Sequence, residues 1–135
     1  MFTQLPAFAG PAIVALHGLG HGGALIALAW IAARPGTDTG AWSAARSWLL
    51  PGMSAGTAAM LASGFWTVSL VGFLAAALGI AGVAGLSEAW PTVAGIAAIV
   101  SLVGIGLYVG TWPAFNTIAA IVVNIGILAA VVGAR

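Results

Sequence analysis

Formal charge and cysteine are what this chain has least of. Only 4% of its 135 residues are charged, and cysteine is absent. Because soluble domains carry about 25% charged residues, a water-exposed globular surface is excluded. The absence of cysteine excludes disulfides, thiolate metal sites and thiol nucleophiles. A net charge of +1 offers no basic patch for nucleic acid, so no nucleic-acid partner is expected.

Long apolar runs make up most of the chain, since 62% of its residues are hydrophobic. Four runs are long enough to cross a lipid bilayer: 11–33, 53–84, 91–110 and 113–134. The charged residues all lie between these runs or at the end of the sequence: Arg34, Asp38, Arg46, Glu88 and Arg135. The pattern predicts an all-α, integral membrane four-helix bundle in which residues 1–135 form a single membrane domain. The second run exceeds the bilayer thickness, so we expect it to tilt, protrude or break in its glycine-rich last third.

The segment 41–50 between the first two runs is too short to cross. It places Trp42 and Trp48 on one side of a helix and Arg46 on the other. Tryptophan prefers the headgroup region, so the pattern predicts a short interfacial helix here.

Orientation follows from the arginines. Four spans place both termini on the same side of a cell membrane. Arg34 and Arg46 share the loop on the opposite side. Because positive residues concentrate in cytoplasmic loops, we expect a multi-pass protein with extracytoplasmic termini.

Small residues recur at helical spacing. Gly18-x-x-x-Gly22 and Gly106-x-x-x-Gly110 are faces that let helix backbones approach closely. The second run carries a further seam of residues at alternating spacings of four and three: Gly56, Met60, Ser63, Thr67 and Leu70. Packing inside the bundle is favoured over homo-oligomerisation, although both interpretations stay open.

Two histidines interrupt the first apolar run. His17 and His21 are four residues apart, so their rings lie near one face of a helix. This spacing suits two ligands of a metal ion, and either residue suits one axial position of a shared haem. Structural hydrogen bonding inside the bundle is the competing interpretation.

A depth argument extends the histidine pair to the other helices. Near the centres of the remaining spans lie Thr67 and Ser69, Ser101, and Asn124. Unpaired polar groups in hydrocarbon cost several kcal/mol, on the order of 2–7. We therefore expect a midplane polar layer, with a candidate ligand-binding set of five inward-facing residues: His17, His21, Thr67, Ser101 and Asn124.

Three short motifs resemble those of small bacterial four-helix membrane proteins that have no assigned activity and often carry permease-like labels. The motifs are Leu16-His17-Gly18-x-x-His21, Ser54-Ala55-Gly56 and Asn124-Ile125-x-Ile127-Leu128. The resemblance implies the four-helix architecture and a histidine pair shared by the family. It names no substrate.

Three functions fit these features. The first is a bundle that binds a small apolar ligand or cofactor around His21; haem, a quinone or a metal would suit, and the sequence requires none of them. The second is a small oligomeric transporter, although the spans lack an embedded acidic residue and Glu88 falls in a loop. The third is an accessory or structural subunit of a larger membrane complex. An enzyme acting alone is least favoured, because no nucleophile and base pair is visible.

Overall fold

Four α-helices account for most of the chain in the computed structural model, which describes residues 7–34 and 44–134. They are α1 (Ala9–Ala32), α2 (Ala55–Ile80), α3 (Trp90–Leu107) and α4 (Ala114–Gly133), and no strand occurs among the described residues. Each helix is long and apolar enough to cross a membrane. Their outer faces expose large apolar side chains such as Ile26 and Val132, as lipid contact requires. The four apolar helices fit a polytopic membrane protein.

The ends of α2 have clear local causes. Ser54 caps its first turn, where the hydroxyl accepts a hydrogen bond from the Thr57 N–H at 3.1 Å. At the other end Gly82 adopts a φ of +87°, and the N–H groups of Gly82 and Val83 bond back to the carbonyls of Gly79 and Leu78. This is a Schellman motif, which ends α2 within the glycine-rich stretch where the sequence predicts a break.

The predicted interfacial helix is not present in the part of 41–50 that the structure describes. Residues 44–50 are irregular, and 41–43 lie outside the described residues. Ala45 is buried against the bundle, and the Trp48 indole donates a 2.6 Å hydrogen bond to the Gly106 carbonyl near the end of α3. An anchored loop replaces the helix here, because tertiary contacts outweigh the amphipathic pattern of so short a segment.

Consecutive helices pack on one another, whereas α1 and α4 contact each other little. Glycines let backbones approach at several crossings. A Cβ added at Gly18 would lie 3.0 Å from the Phe73 Cβ, and one added at Gly104 would lie 2.9 Å from the Phe65 Cβ. Gly18 therefore serves packing within the bundle, as its motif predicts.

The second glycine motif has a different role. α3 ends at Leu107, so Gly110 lies in the following turn with a φ of +87° rather than on a helix face. Gly106 has open space at its Cβ position, and its carbonyl accepts the Trp48 bond. The interpretation of Gly106-x-x-x-Gly110 as a packing face is wrong, because the helix stops too early. The predicted seam on α2 is also partly solvent- or lipid-facing, with Met60 69% exposed.

Candidate functional site

A continuous chain of hydrogen bonds joins four polar side chains from three helices. His17 Nε2 lies 3.2 Å from Asn124 Oδ1, and Asn124 Nδ2 lies 2.9 Å from Ser101 Oγ. Ser101 Oγ in turn lies 3.1 Å from His21 Nε2. The predicted polar layer therefore exists for His17, His21, Ser101 and Asn124, which the fold brings together from α1, α3 and α4.

Burial makes this network necessary. Ser101 and Asn124 are fully buried, and His21 is only 6% exposed. A buried polar group without a partner costs about 1–3 kcal/mol, so these side chains stabilise the bundle only while they bond to one another. These side chains lie near the middle of each helix, where the surrounding lipid offers them no polar partner.

Aromatic rings hold the imidazoles in place. The His21 ring stacks on Trp66, with centroids 5.3 Å apart and planes 14° from parallel, and on Phe73 at 5.8 Å and 12°. The His17 ring meets the Phe73 ring edge-on at 4.7 Å and the His21 ring at 5.0 Å. The two histidines are thus oriented by hydrogen bonds at their Nε2 atoms and by ring contacts from α2.

Thr67 differs from its prediction. It is exposed, so it does not join the layer. Trp66, 1% exposed, faces the core, and each helical residue turns by about 100°, which carries Thr67 to the outer surface. Ser69 is the polar residue of α2 that is fully buried instead. Its Oγ, like the Trp66 Nε1, has no hydrogen-bond partner among the described residues.

A cleft of about 310 Å³ lies beside the two histidines, between α1 and α4. It opens at the outer surface, where Leu16 is 68% and Phe115 is 81% exposed. None of the described residues that line it carries a formal charge. Six of the lining side chains carry polar atoms, and the other lining residues are apolar. The six are His17, His21, Trp66, Trp112, Asn116 and Thr117.

The sequence predicts a ligand site around His21, but it gives neither the position of this cleft beside α4 nor its aromatic wall. Trp66 and Trp112 both line it, with their rings edge-to-face at 5.6 Å. Their spacing of 46 residues leaves no trace in the sequence. A gap between two helices depends on how their neighbours pack, so no local pattern identifies it.

Metal ligation by His17 and His21 stays a prediction. Within the described ranges no group of three or more histidine, cysteine, aspartate or glutamate side chains converges. Both Nε2 atoms already bond to Asn124 or Ser101. An ion bound through Nε2 would have to break these bonds, so a metal or haem iron would be held through the Nδ1 atoms.

No family model, curated protein or solved structure matches this chain. The resemblance to small bacterial four-helix proteins therefore stays a prediction.

Proposed function

We propose that this protein binds an uncharged, membrane-soluble molecule in the cleft between α1 and α4. The polar head of the molecule lies against His17 and His21, and its apolar remainder extends between Leu16 and Phe115 into lipid. The observation that carries the proposal is that both histidines line the cleft while a buried network orients their rings.

The size and lining of the cleft favour this class of ligand. Small-molecule sites are mostly apolar cavities of about 300–1,000 Å³ with a few placed polar groups. A volume of about 310 Å³ suits the head of such a molecule rather than a whole lipid. A charged headgroup is disfavoured, because the described lining offers no counter-charge to offset its desolvation.

Two glycines of α1 supply a matched pair of variants. Gly20 lines the cleft, and nothing lies within 4 Å of its Cβ position. Gly23 has equally open space but does not line the cleft. Gly20→Leu should therefore fill the cleft without disturbing helix packing, and Gly23→Leu should change the helix in the same way while leaving the cleft open.

Quenching of tryptophan fluorescence tests the proposal in lipid nanodiscs. Decylbenzoquinone is the probe, because a quinone in the cleft lies beside Trp66 and Trp112. We expect saturable quenching in the original protein and in Gly23→Leu. In Gly20→Leu we expect only linear quenching, which is what a probe dissolved in the lipid produces. Equal, non-saturable quenching in all three proteins would overturn the proposal.

The transporter and subunit alternatives stay predictions. A proton-coupled transporter would need an acidic residue inside a span. Glu88 instead lies exposed in the loop between α2 and α3.

A further inference from the structure

The direction of the hydrogen-bond chain is set at Asn124. Its Oδ1 can only accept, so the His17 Nε2 that lies 3.2 Å away must carry a hydrogen and donate it. The Asn124 Nδ2 then donates to the Ser101 hydroxyl oxygen at 2.9 Å. In a neutral imidazole only one nitrogen carries hydrogen, so the Nδ1 of His17 is an acceptor.

The direction continues through Ser101. Its oxygen accepts from Asn124, and its own hydrogen has one partner among the described residues, the His21 Nε2 at 3.1 Å. If His21 donated from Nε2 instead, the hydroxyl hydrogen would be buried without an acceptor, which is the costlier arrangement. His21 therefore accepts at Nε2 and carries its hydrogen on Nδ1.

The two Nδ1 atoms are the polar atoms that the histidines offer to the cleft. Ser101 and Asn124 do not line the cleft, whereas both histidines do. The Nε2 edge of each ring is engaged with the network, which leaves Nδ1 as the remaining polar atom. The histidines thus present one acceptor, from His17, beside one donor, from His21, on rings whose centroids are 5.0 Å apart.

We infer that the cleft selects a ligand with a ring-bound hydroxyl head, of the phenol or quinol class. One hydroxyl donates its hydrogen to His17 Nδ1 and accepts the hydrogen of His21 Nδ1. An ether or a quinone carbonyl can only accept, so it leaves His17 unpaired. Trp66, Trp112 and Phe115 provide aromatic walls for the ring. This inference rests on the proposed function, because it specifies the ligand of the same cleft.

The tautomers are measured first, without any ligand. The protein with ¹⁵N-labelled histidine is studied in lipid bilayers at neutral pH by NMR, which separates bare from protonated ring nitrogens. We expect the hydrogen on Nε2 of His17 and on Nδ1 of His21. In Ser101→Ala we expect His21 to lose its single tautomer while His17 keeps its own. The hydrogen on Nε2 of both rings in the original protein would overturn the inference.

Ligand preference is measured by competition against decylbenzoquinone in nanodiscs. The competitors are 4-decylphenol and its methyl ether, 4-decylanisole, which have the same chain and ring. We expect the phenol to displace the probe at a concentration about tenfold lower than the ether requires. The ether has no hydroxyl hydrogen to donate, so it leaves the His17 Nδ1 acceptor without a partner. In Ser101→Ala the difference between the displacing concentrations of the phenol and the ether should be smaller.

The outcomes separate the two proposals. Saturable probe binding with equal competition by phenol and ether would overturn the hydroxyl preference and leave the cleft as a binding site. Absence of saturable binding in the original protein, with the expected tautomers present, would overturn the proposed function instead.

Discussion

His17 and Asn124 are 107 residues apart in the sequence, yet His17 Nε2 and Asn124 Oδ1 lie 3.2 Å apart. This hydrogen bond joins α1 to α4, two helices that otherwise contact each other little. His17 also lines the cleft between these helices. A hydrogen bond therefore joins α1 to α4 where helix packing is sparse, whereas the consecutive helices pack closely on one another.

Asn124→Leu tests the network directly. The substitution leaves the His17 Nε2 donor unpaired and removes the hydrogen bond that the Ser101 oxygen accepts, while Ser101 keeps its bond to His21. We expect a loss of about 1–2 kcal/mol in the free energy of unfolding. Asn116→Leu is the control, because Asn116 is an exposed asparagine of the same helix. Reversible unfolding in mixed micelles measures both variants. Equal stability of the two would show that the network contributes nothing.

The two histidines should contribute differently to the free energy of unfolding. His21→Ala removes a buried ring that stacks on Trp66 and Phe73, so we expect it to destabilise the bundle by about 2–4 kcal/mol. His17 is only partly buried, and His17→Ala should cost about half as much. Thermal unfolding gives the comparison. A larger loss from His17→Ala would contradict the assigned packing.

The same substitutions address ligand binding where the bundle survives. We expect His21→Ala to abolish saturable quenching by decylbenzoquinone and His17→Ala to weaken it, because the histidines form the polar end of the cleft. Circular dichroism checks that each variant keeps its helices. If folded His21→Ala showed saturable quenching with the same midpoint as the original protein, His21 would not be part of the binding site.

Gly79→Ala and Gly64→Ala should have opposite effects on stability. A Cβ at Gly79 would lie 2.5 Å from the Leu86 carbonyl oxygen and 2.7 Å from the Trp90 Cβ, so the turn between α2 and α3 must shift, at about 1–3 kcal/mol. Gly64 is on the same helix with nothing within 4 Å of its Cβ position. There alanine should stabilise α2 by about 0.5–1 kcal/mol. Unfolding midpoints that move in the same direction would contradict this packing.

Orientation is testable because the chain lacks cysteine. Gly52→Cys and Ser87→Cys place single thiols at exposed positions in the loops before α2 and before α3. With Arg34 and Arg46 on the cytoplasmic side, a membrane-impermeant maleimide should label Ser87→Cys in intact cells and Gly52→Cys only after permeabilisation. The reverse pattern would invert the predicted topology.

Helix number and helix position were predictable from the sequence. α1 and α4 begin and end within two residues of the predicted runs, and α3 begins within one residue of its run but ends three residues early. Apolar length and breaks at proline, glycine and charge are local properties, so the bilayer converts them into spans without reference to the rest of the chain. The anchored loop at 44–50 escaped prediction because its contacts lie on distant helices.

The polar layer was predictable only in part. His21, Ser101 and Asn124 could be placed at one depth from their positions in the spans, but depth does not determine rotation about a helix axis. Packing decided that rotation on α2, where the bulk of Trp66 and Phe73 turned inward and Thr67 faced outward.

The sequence by itself determined the membrane environment, the four helices and the polar residues that need partners, because hydrophobicity and helical rise act residue by residue. Only the tertiary structure decided which partners meet, which nitrogen of each histidine is engaged, and that a cleft lies between α1 and α4. These features depend on the relative rotation and spacing of helices far apart in the chain. That arrangement results from the packing of all four helices together.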